Sequence, residues 1–132
     1  MNSQNYDTLR VEVHDNIATV YLSNGKGNAM SRTFFKEIDH CFRTLGSNTS
    51  VRVIILRADG KYFTVGLDLK DAAAGQEING GEMDVARKSI RQRNHILELQ
   101  DSFTTIENCP QPVIFATHGA VVGGGVDLSC CC

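Results

Sequence analysis

Three consecutive glycines, Gly123 to Gly125, stand between a short β-branched run and an apolar run with helical spacing. Glycine reaches backbone conformations that other residues avoid, and it has no Cβ, so such a turn can be sharp and can approach a ligand closely. The helix that follows begins with backbone N–H groups that have no intrahelical acceptor. The order of strand, glycine turn and helix therefore predicts either a tight packing joint or a place that attracts negative charge.

Other chemistries fit this segment poorly. Counted from Gly123 and Gly125, Leu128 occupies the position where a dinucleotide-binding fingerprint needs a third small residue, and the Lys-Ser/Thr pair of a phosphate loop is absent. Ser129 lacks the Gly-x-Ser-x-Gly elbow of a hydrolase nucleophile. His118 has no nucleophile or acidic partner at a useful spacing, so we expect it to play a structural part.

A carboxylate and a second glycine turn accompany the first. Asp127 lies two residues beyond the glycines, where the helix dipole favours an acidic residue in any case, so a stabilising role and a proton-transfer role both stay open. Gly66, Leu67 and Asp68 form another turn after an extended segment, which makes the N–H of Leu67 a second candidate donor. Two such donors suit a carbonyl oxygen that gains charge when a neighbouring proton leaves, as in formation of an enolate from a thioester.

Hydrophobic periodicity divides the rest of the chain into strands and helices. Two β-runs around the turn residues His14–Asn16 predict a hairpin. Ser31 can cap a helix that Gly46 ends, and Asp68 can cap a short helix that continues through residues 72–74. The predicted strands are Leu9–Val13, Ile17–Leu22, a buried Val51–Leu56 and a buried Val113–Ala116. The apolar face of the first helix is Phe34, Ile38, Cys41, Phe42 and Leu45. A long amphipathic helix follows Asp84, with Ile96, Leu99, Phe103 and Ile106 on its apolar face.

Composition excludes several classes of protein. Thirteen Lys and Arg against fifteen Asp and Glu give a net charge of -2, which leaves no basic footprint for a nucleic acid. No apolar run is long enough for a membrane span or a signal peptide, so we expect a soluble, intracellular protein without a membrane partner. Five cysteines, three of them adjacent at Cys130–Cys132, match neither a disulfide framework nor a zinc site, so we expect packing residues, no metal and a reducing compartment.

Five segments together resemble the enoyl-CoA hydratase/isomerase, or crotonase, superfamily. They are Asn28-Ala29-Met30 and the segments 51–55, 60–69, 109–114 and 118–128. Within the superfamily, Asp84-Val85-Ala86-Arg87, the long helix after it and the Asp that follows Gly-Gly-Gly-Val are similar to the dienoyl-CoA isomerase branch, because hydratases usually carry Glu at the position of Asp127.

The resemblance implies an α/β fold, a crotonase-like spiral of repeated ββα units, assembled as a homotrimer or hexamer. It implies a CoA thioester held by the backbone N–H groups of Leu67 and Gly124, with Asp127 as one acid of the acyl pocket. CoA is part of the substrate, so no separate cofactor is expected. The substrate and CoA contacts would come from Lys26, Asn28, Ala29, Gly66, Asp68 and Gly123.

Family domains are longer than this chain, which predicts that residues 1–132 are the N-terminal portion of a single domain whose C-terminal half is absent. The apolar ending at Ser129–Cys132 agrees with that interpretation. The expected activity of the parent protein is the shift of double bonds from 3,5-dienoyl-CoA to 2,4-dienoyl-CoA in fatty-acid β-oxidation, in a peroxisome or mitochondrion, with the fragment inactive alone. An enoyl-CoA hydratase and a non-catalytic truncated isoform are the alternatives.

Overall fold

The computed structural model describes residues 5–25, 27–78 and 83–132. In chain order the elements are β1 (Leu9–His14), β2 (Ile17–Leu22), α1 (Arg32–Gly46), β3 (Val53–Ala58), α2 (Leu69–Ile78), α3 (Val85–Glu107), β4 (Val113–Phe115) and α4 (Gly124–Cys130). The mixture of strands and helices gives the expected α/β class. None of the helices in these ranges is long and apolar enough to cross a membrane.

The strands of the described residues form one sheet in the order β1-β2-β3-β4. β1 and β2 are the predicted antiparallel hairpin, and its turn residues Asp15 and Asn16 have φ of +47° and +67°. Positive φ at both central residues gives a turn whose twist matches that of the two strands. β2, β3 and β4 are parallel, so the segments 23–30, 59–68 and 116–124 all leave the sheet at the same edge.

Helix α1 covers one face of this sheet. Ser31 Oγ accepts a hydrogen bond from the N–H of Phe34 at 3.2 Å, which confirms the predicted cap, and the helix ends at Gly46 as expected. Its apolar face packs into a cluster with alternate residues of the strands, since every second side chain of a strand points to the same face. The largest buried side chains of this core include Phe34, Ile38 and Phe42 from α1 and Val20, Leu22, Ile54 and Leu56 from the sheet.

Helix α3 is buried only in its second half. Asp84 caps it by accepting a hydrogen bond from the N–H of Arg87 at 3.0 Å, and Phe103 and Ile106 are buried as predicted. Every residue from 85 to 98 is exposed, however, including Ile96 at 43%. The expectation that Ile96 belongs to the buried apolar face is therefore wrong, since α1 contacts the helix further along, through Phe35 on Phe103 and Asp39 on Thr105.

Two strand predictions need correction. β3 begins two residues later than expected, because Val51 and Arg52 extend toward the hairpin turn, where the N–H of Arg52 donates to the Asn16 carbonyl at 2.8 Å. β4 is short and not fully buried, with Ile114 52% exposed, since β3 is its partner on one side and no described strand lies on the other.

The cysteine prediction also needs correction. Among Cys130–Cys132, Cys131 alone packs against the core, while Cys130 and Cys132 are exposed at the end of α4. A helix presents successive residues to different directions, so three adjacent side chains cannot all face one core. Within the described ranges, no group of three His, Cys, Asp or Glu side chains is placed to hold a metal ion.

Candidate active site

Two of the segments that leave the sheet at its common edge pair with each other through the backbone. The N–H of Val65 donates to the Gly27 carbonyl at 2.9 Å, and the N–H of Met30 donates to the Gly66 carbonyl at 2.8 Å. The N–H of Asp68 returns the bond to the Met30 carbonyl at 2.9 Å. The loop after β2 is thus held beside the loop after β3, with Leu67 directly opposite Met30.

The third segment joins on the other side. The N–H of Thr64 donates to the Ala120 carbonyl at 3.2 Å, and the N–H of Val122 donates to the Thr64 carbonyl at 3.2 Å. This parallel bridge places the segment before the three glycines alongside the segment before Gly66. The two glycine turns predicted from separate parts of the sequence are therefore neighbours.

Hydrogen bonds of Asn28 and Thr64 fix the shape of the turn at Gly66. Asn28 is 4% exposed with φ of +53°, and its Nδ2 donates to the carbonyls of Asp59 at 2.8 Å, Phe63 at 3.1 Å and Tyr62 at 3.2 Å. The hydroxyl of the fully buried Thr64 donates to the Asn28 carbonyl at 2.7 Å and accepts from the N–H of Gly66 at 3.1 Å. Nothing in the local sequence of Thr64 indicated this contribution.

Glycine is required at two points where the turns touch. Gly66 has φ of +88°, and a Cβ there would lie 2.9 Å from the carbonyl oxygen of Val122. Gly125 is buried in the first turn of α4, and a Cβ there would lie 2.4 Å from Thr64 Cγ2. The packing alternative is thus confirmed for Gly125, whereas Gly123 and Gly124 lie at the start of α4 and attraction of negative charge there stays a prediction.

The N–H groups of Leu67 and Gly124 have no acceptor among the described residues. Leu67 is 45% exposed at the tip of its turn, and Gly124 is the first residue of α4. Met30 links them, because its backbone brackets Leu67 and its Sδ lies 3.1 Å from where a Cβ of Gly124 would be. The predicted pair of donors is therefore brought together, and Met30 is a supporting residue that sequence reasoning did not single out.

Asp127 lies in the first turn of the same helix as Gly124 and is exposed. Its carboxylate forms no ion pair or hydrogen bond with the described residues. A stabilising role at the helix start and a role in proton transfer therefore both stay predictions for Asp127.

The other residues predicted to contact the substrate or CoA differ in exposure and in their hydrogen bonds. Asp68 caps α2, since its Oδ1 accepts from the N–H groups of residues 70 and 71 at 3.1 Å each, as the sequence predicted. Asn28 is buried with its side chain and carbonyl engaged, Ala29 is partly exposed and Gly123 is exposed. Lys26 lies outside the described residues. Substrate or CoA contact by these residues stays a prediction.

His118 has the structural contacts that its position indicated. Its Nε2 lies 2.7 Å from the Gly60 carbonyl, and its ring meets Phe63 edge-on at 6.3 Å between centroids. It thereby ties the end of the β4 segment to the turn after β3.

The close contact between Gly125 and Thr64 allows a direct test of how the turn of three glycines is packed. In an isolated helix Gly→Ala adds about 1 kcal/mol of stability, but here the new methyl would overlap Thr64, and such overpacking costs about 1–3 kcal/mol. We expect Gly125→Ala to lower the free energy of unfolding of the full-length protein, as measured by chemical denaturation. Adding Thr64→Ser removes the overlapping methyl and keeps the hydroxyl, so the double variant should be more stable than the two losses added together.

Thr64→Val is the matched control for that cycle. It keeps a methyl at the point of overlap and loses the hydroxyl, so it should not rescue Gly125→Ala. Additive behaviour of Thr64→Ser with Gly125→Ala would contradict the assigned contact.

The comparisons with known proteins agree with this architecture. The sequence profile of the enoyl-CoA hydratase/isomerase family matches residues 12–132. The chain belongs to this family, and its fold is the crotonase-like α/β fold. A solved enoyl-CoA hydratase/carnitine racemase from Magnetospirillum magneticum superposes with a TM-score of 0.78 and 30% identity, over 98% of this chain and 46% of that one.

Two of the relatives carry a more particular description. The mitochondrial Delta(3,5)-Delta(2,4)-dienoyl-CoA isomerase of Homo sapiens is 40% identical over 96% of this chain and 39% of its own length. The peroxisomal protein of the same description from Arabidopsis thaliana is 36% identical over the whole chain and 49% of its own length. The chain thus spans about half the length or less of these relatives.

Proposed function

We propose that the chain forms the N-terminal half of a dienoyl-CoA isomerase that converts 3,5-dienoyl-CoA to 2,4-dienoyl-CoA in fatty-acid β-oxidation. The observation that carries the proposal is the pair of backbone N–H groups, of Leu67 and Gly124, that two neighbouring glycine turns present without an acceptor among the described residues. Relatives described as dienoyl-CoA isomerases at 36–40% identity support this reaction among those of the family.

The isomerisation requires both donors at the carbonyl oxygen of the thioester. Removing a proton from C2 of the thioester sends its electron pair toward the carbonyl oxygen and the diene, which forms a conjugated dienolate. Two N–H groups stabilise that oxygen as its charge grows, without a change of protonation in the protein. Return of a proton at C6 leaves double bonds at C2 and C4, so the reaction consumes no other reactant.

Asp127 supplies one of the carboxylates that move these protons. The proton lost at C2 and the proton gained at C6 lie four carbons apart, which favours one carboxylate at each position. The resemblance to the crotonase superfamily, on which the proposal rests, implies that the other acid/base carboxylates follow residue 132. The chain alone then holds the thioester oxygen and one pocket acid, without the second proton carrier.

The surroundings of the site follow from the same proposal. On this proposal Asn28 and Ala29 contact the CoA moiety and Gly66, Asp68 and Gly123 border the thioester, while the contact expected of Lys26 lies outside the described residues. The full-length protein is a homo-oligomer, a trimer or hexamer, that takes an acyl-CoA as its partner molecule. Relatives described as mitochondrial and peroxisomal support placement in one of these two organelles.

The experiment compares two proteins and two substrates. The full-length protein and the 132-residue chain are each given a 3,5-dienoyl-CoA and a 2-enoyl-CoA. Isomerisation is followed by the rise in absorbance of the conjugated 2,4-dienoyl product, and hydration by the loss of absorbance of the 2-enoyl thioester. We expect isomerisation by the full-length protein and none by the chain alone. A preference of the full-length protein for hydrating the 2-enoyl-CoA would support the hydratase alternative, and no turnover of either substrate by the full-length protein would contradict both enzyme hypotheses. Activity of the chain alone would contradict its need for further carboxylates.

A further inference from the structure

A cleft of about 700 Å³ opens beside the Leu67 donor, between α2 and the exposed first half of α3. We call it the α2–α3 cleft. Phe35, Leu67, Ile96 and Leu99 give it an apolar wall, so it offers cover to the acyl chain of a thioester whose oxygen lies at the Leu67 N–H. This assignment rests on the proposed function.

The other part of the α2–α3 cleft is cationic. Lys88 and Arg91 lie one turn apart on α3, both are exposed, and neither forms an ion pair with any described residue. A third cation that lines the cleft, Arg32, is already neutralised, because its backbone N–H and guanidinium hold Asp71 at 2.7 Å and 3.3 Å and keep the pKa of that carboxyl below its usual range. Lys88 and Arg91 are thus the cations of the cleft still available to an anion.

The carboxylates that line the α2–α3 cleft among the described residues do not cancel this charge. Asp71 is committed to Arg32, and Glu98 stands about 10 Å further along the helix than Arg91, at a rise of about 1.5 Å per residue. That separation is about one screening length at physiological salt, so Glu98 weakens the field at Arg91 without neutralising it. The cleft therefore changes from apolar beside Ile96 and Leu99 to basic beside Lys88 and Arg91.

We propose that the α2–α3 cleft selects acyl chains that end in an anionic group, with an ω-carboxylate as the chemical class. The methylene chain packs on the apolar wall, and the terminal carboxylate meets Lys88 and Arg91. A chain that ends in a methyl group leaves both cations solvated and gains nothing from them, whereas a carboxylate gains two charge-assisted contacts in a partly enclosed place. The cleft thus distinguishes substrates by the far end of the acyl chain.

The test uses the full-length protein and two 3,5-dienoyl-CoA substrates of equal length, one ending in a methyl group and one in a carboxylate. We expect kcat/KM to favour the carboxylate-ended substrate and the preference to fall as salt is raised. The double variant Lys88→Met/Arg91→Met keeps the apolar stems and removes both charges, so the preference for the carboxylate-ended substrate should fall about tenfold.

The matched control is Lys70→Met/Arg93→Met, which removes two exposed charges from α2 and α3 at positions that do not line the α2–α3 cleft and form no ion pair with the described residues. A loss of preference equal to that of the cleft variant would show general steering and overturn the proposal, as would an unchanged preference in the cleft variant. If neither substrate is isomerised, the proposed function is wrong. The selectivity proposed for the α2–α3 cleft is then tested separately, by the Kd values of the two saturated acyl-CoAs with the same chain lengths and ends. Tighter, salt-sensitive binding of the carboxylate-ended compound that Lys88→Met/Arg91→Met abolishes supports it, and equal Kd values overturn it.

Discussion

Replacing Gly124 by proline in the full-length protein is expected to lower kcat on a 3,5-dienoyl-CoA about 10²–10³-fold, the usual cost of losing one oxyanion donor. Gly124 is the first residue of α4, a position where proline is well tolerated because the N–H there has no acceptor within the helix. The substitution therefore removes the donor and leaves the helix intact. Since the lost contact strengthens only as the enolate forms, kcat and kcat/KM should fall together.

Gly124→Ala is the matched control for this change. Alanine introduces the same Cβ at 3.1 Å from Met30 Sδ, which the flexible methionine can relieve by a small shift, and it keeps the N–H. We expect it to retain most of the turnover, and thermal unfolding should show both variants folded. Equal losses of activity would assign the effect to crowding against Met30 and remove Gly124 from the site.

Asp127→Asn in the full-length protein is expected to reduce turnover about 10²–10⁴-fold, the range over which a positioned acid or base acts. Asparagine has nearly the shape of aspartate and cannot accept the proton that leaves the substrate. The measurement is kcat, with exchange of the substrate's C2 hydrogen in deuterated water as a second readout. Loss of exchange together with kcat would place Asp127 at C2, whereas retained exchange would place it at the return of the proton.

Two further variants complete that test. Asp127→Glu keeps a carboxylate and should recover part of the activity. Asp101→Asn removes a carboxylate from the exposed face of α3 and should leave turnover unchanged. Normal turnover in Asp127→Asn would exclude Asp127 from the proton path.

Local signals in the sequence predicted the parts of the fold that local contacts determine. The caps at Ser31 and Asp68 bond to N–H groups two or three residues away, and the hairpin turn at Asp15 and Asn16 closes within its own strands. Such features depend on a few neighbouring residues and can be read from them. A glycine turn before a helix leaves N–H groups unpaired wherever it occurs, so candidate donors could be predicted locally, whereas the choice of Gly124 as the second one came from the family resemblance.

Contacts between distant residues were not predictable in this way. Thr64 gives no local sign that its hydroxyl joins Asn28 to Gly66, since its partner Asn28 lies 36 positions earlier. The periodicity of α3 indicated an apolar face but not how much of it another element would cover, so Ile96 was wrongly expected to be buried. The missed role of Thr64 and the wrong expectation for Ile96 both depend on which elements contact each other, and hydrophobic spacing within one element carries no information on that.

The bonds that hold the two donors also have a consequence for the order in which the protein folds. The hydrogen bond of Thr64 to Asn28 closes a loop of 36 positions, and the bridge from Thr64 to Ala120 closes a longer one. Closing such loops costs chain entropy before any contact repays it, so long-range pairings of this kind form slowly. Capped helices and the hairpin can form early, but Leu67 and Gly124 meet only when all three segments have assembled. Binding competence is then among the last properties that a newly made chain acquires, and amides at these turns should report the latest step of refolding in a pulse-labelled hydrogen-exchange experiment.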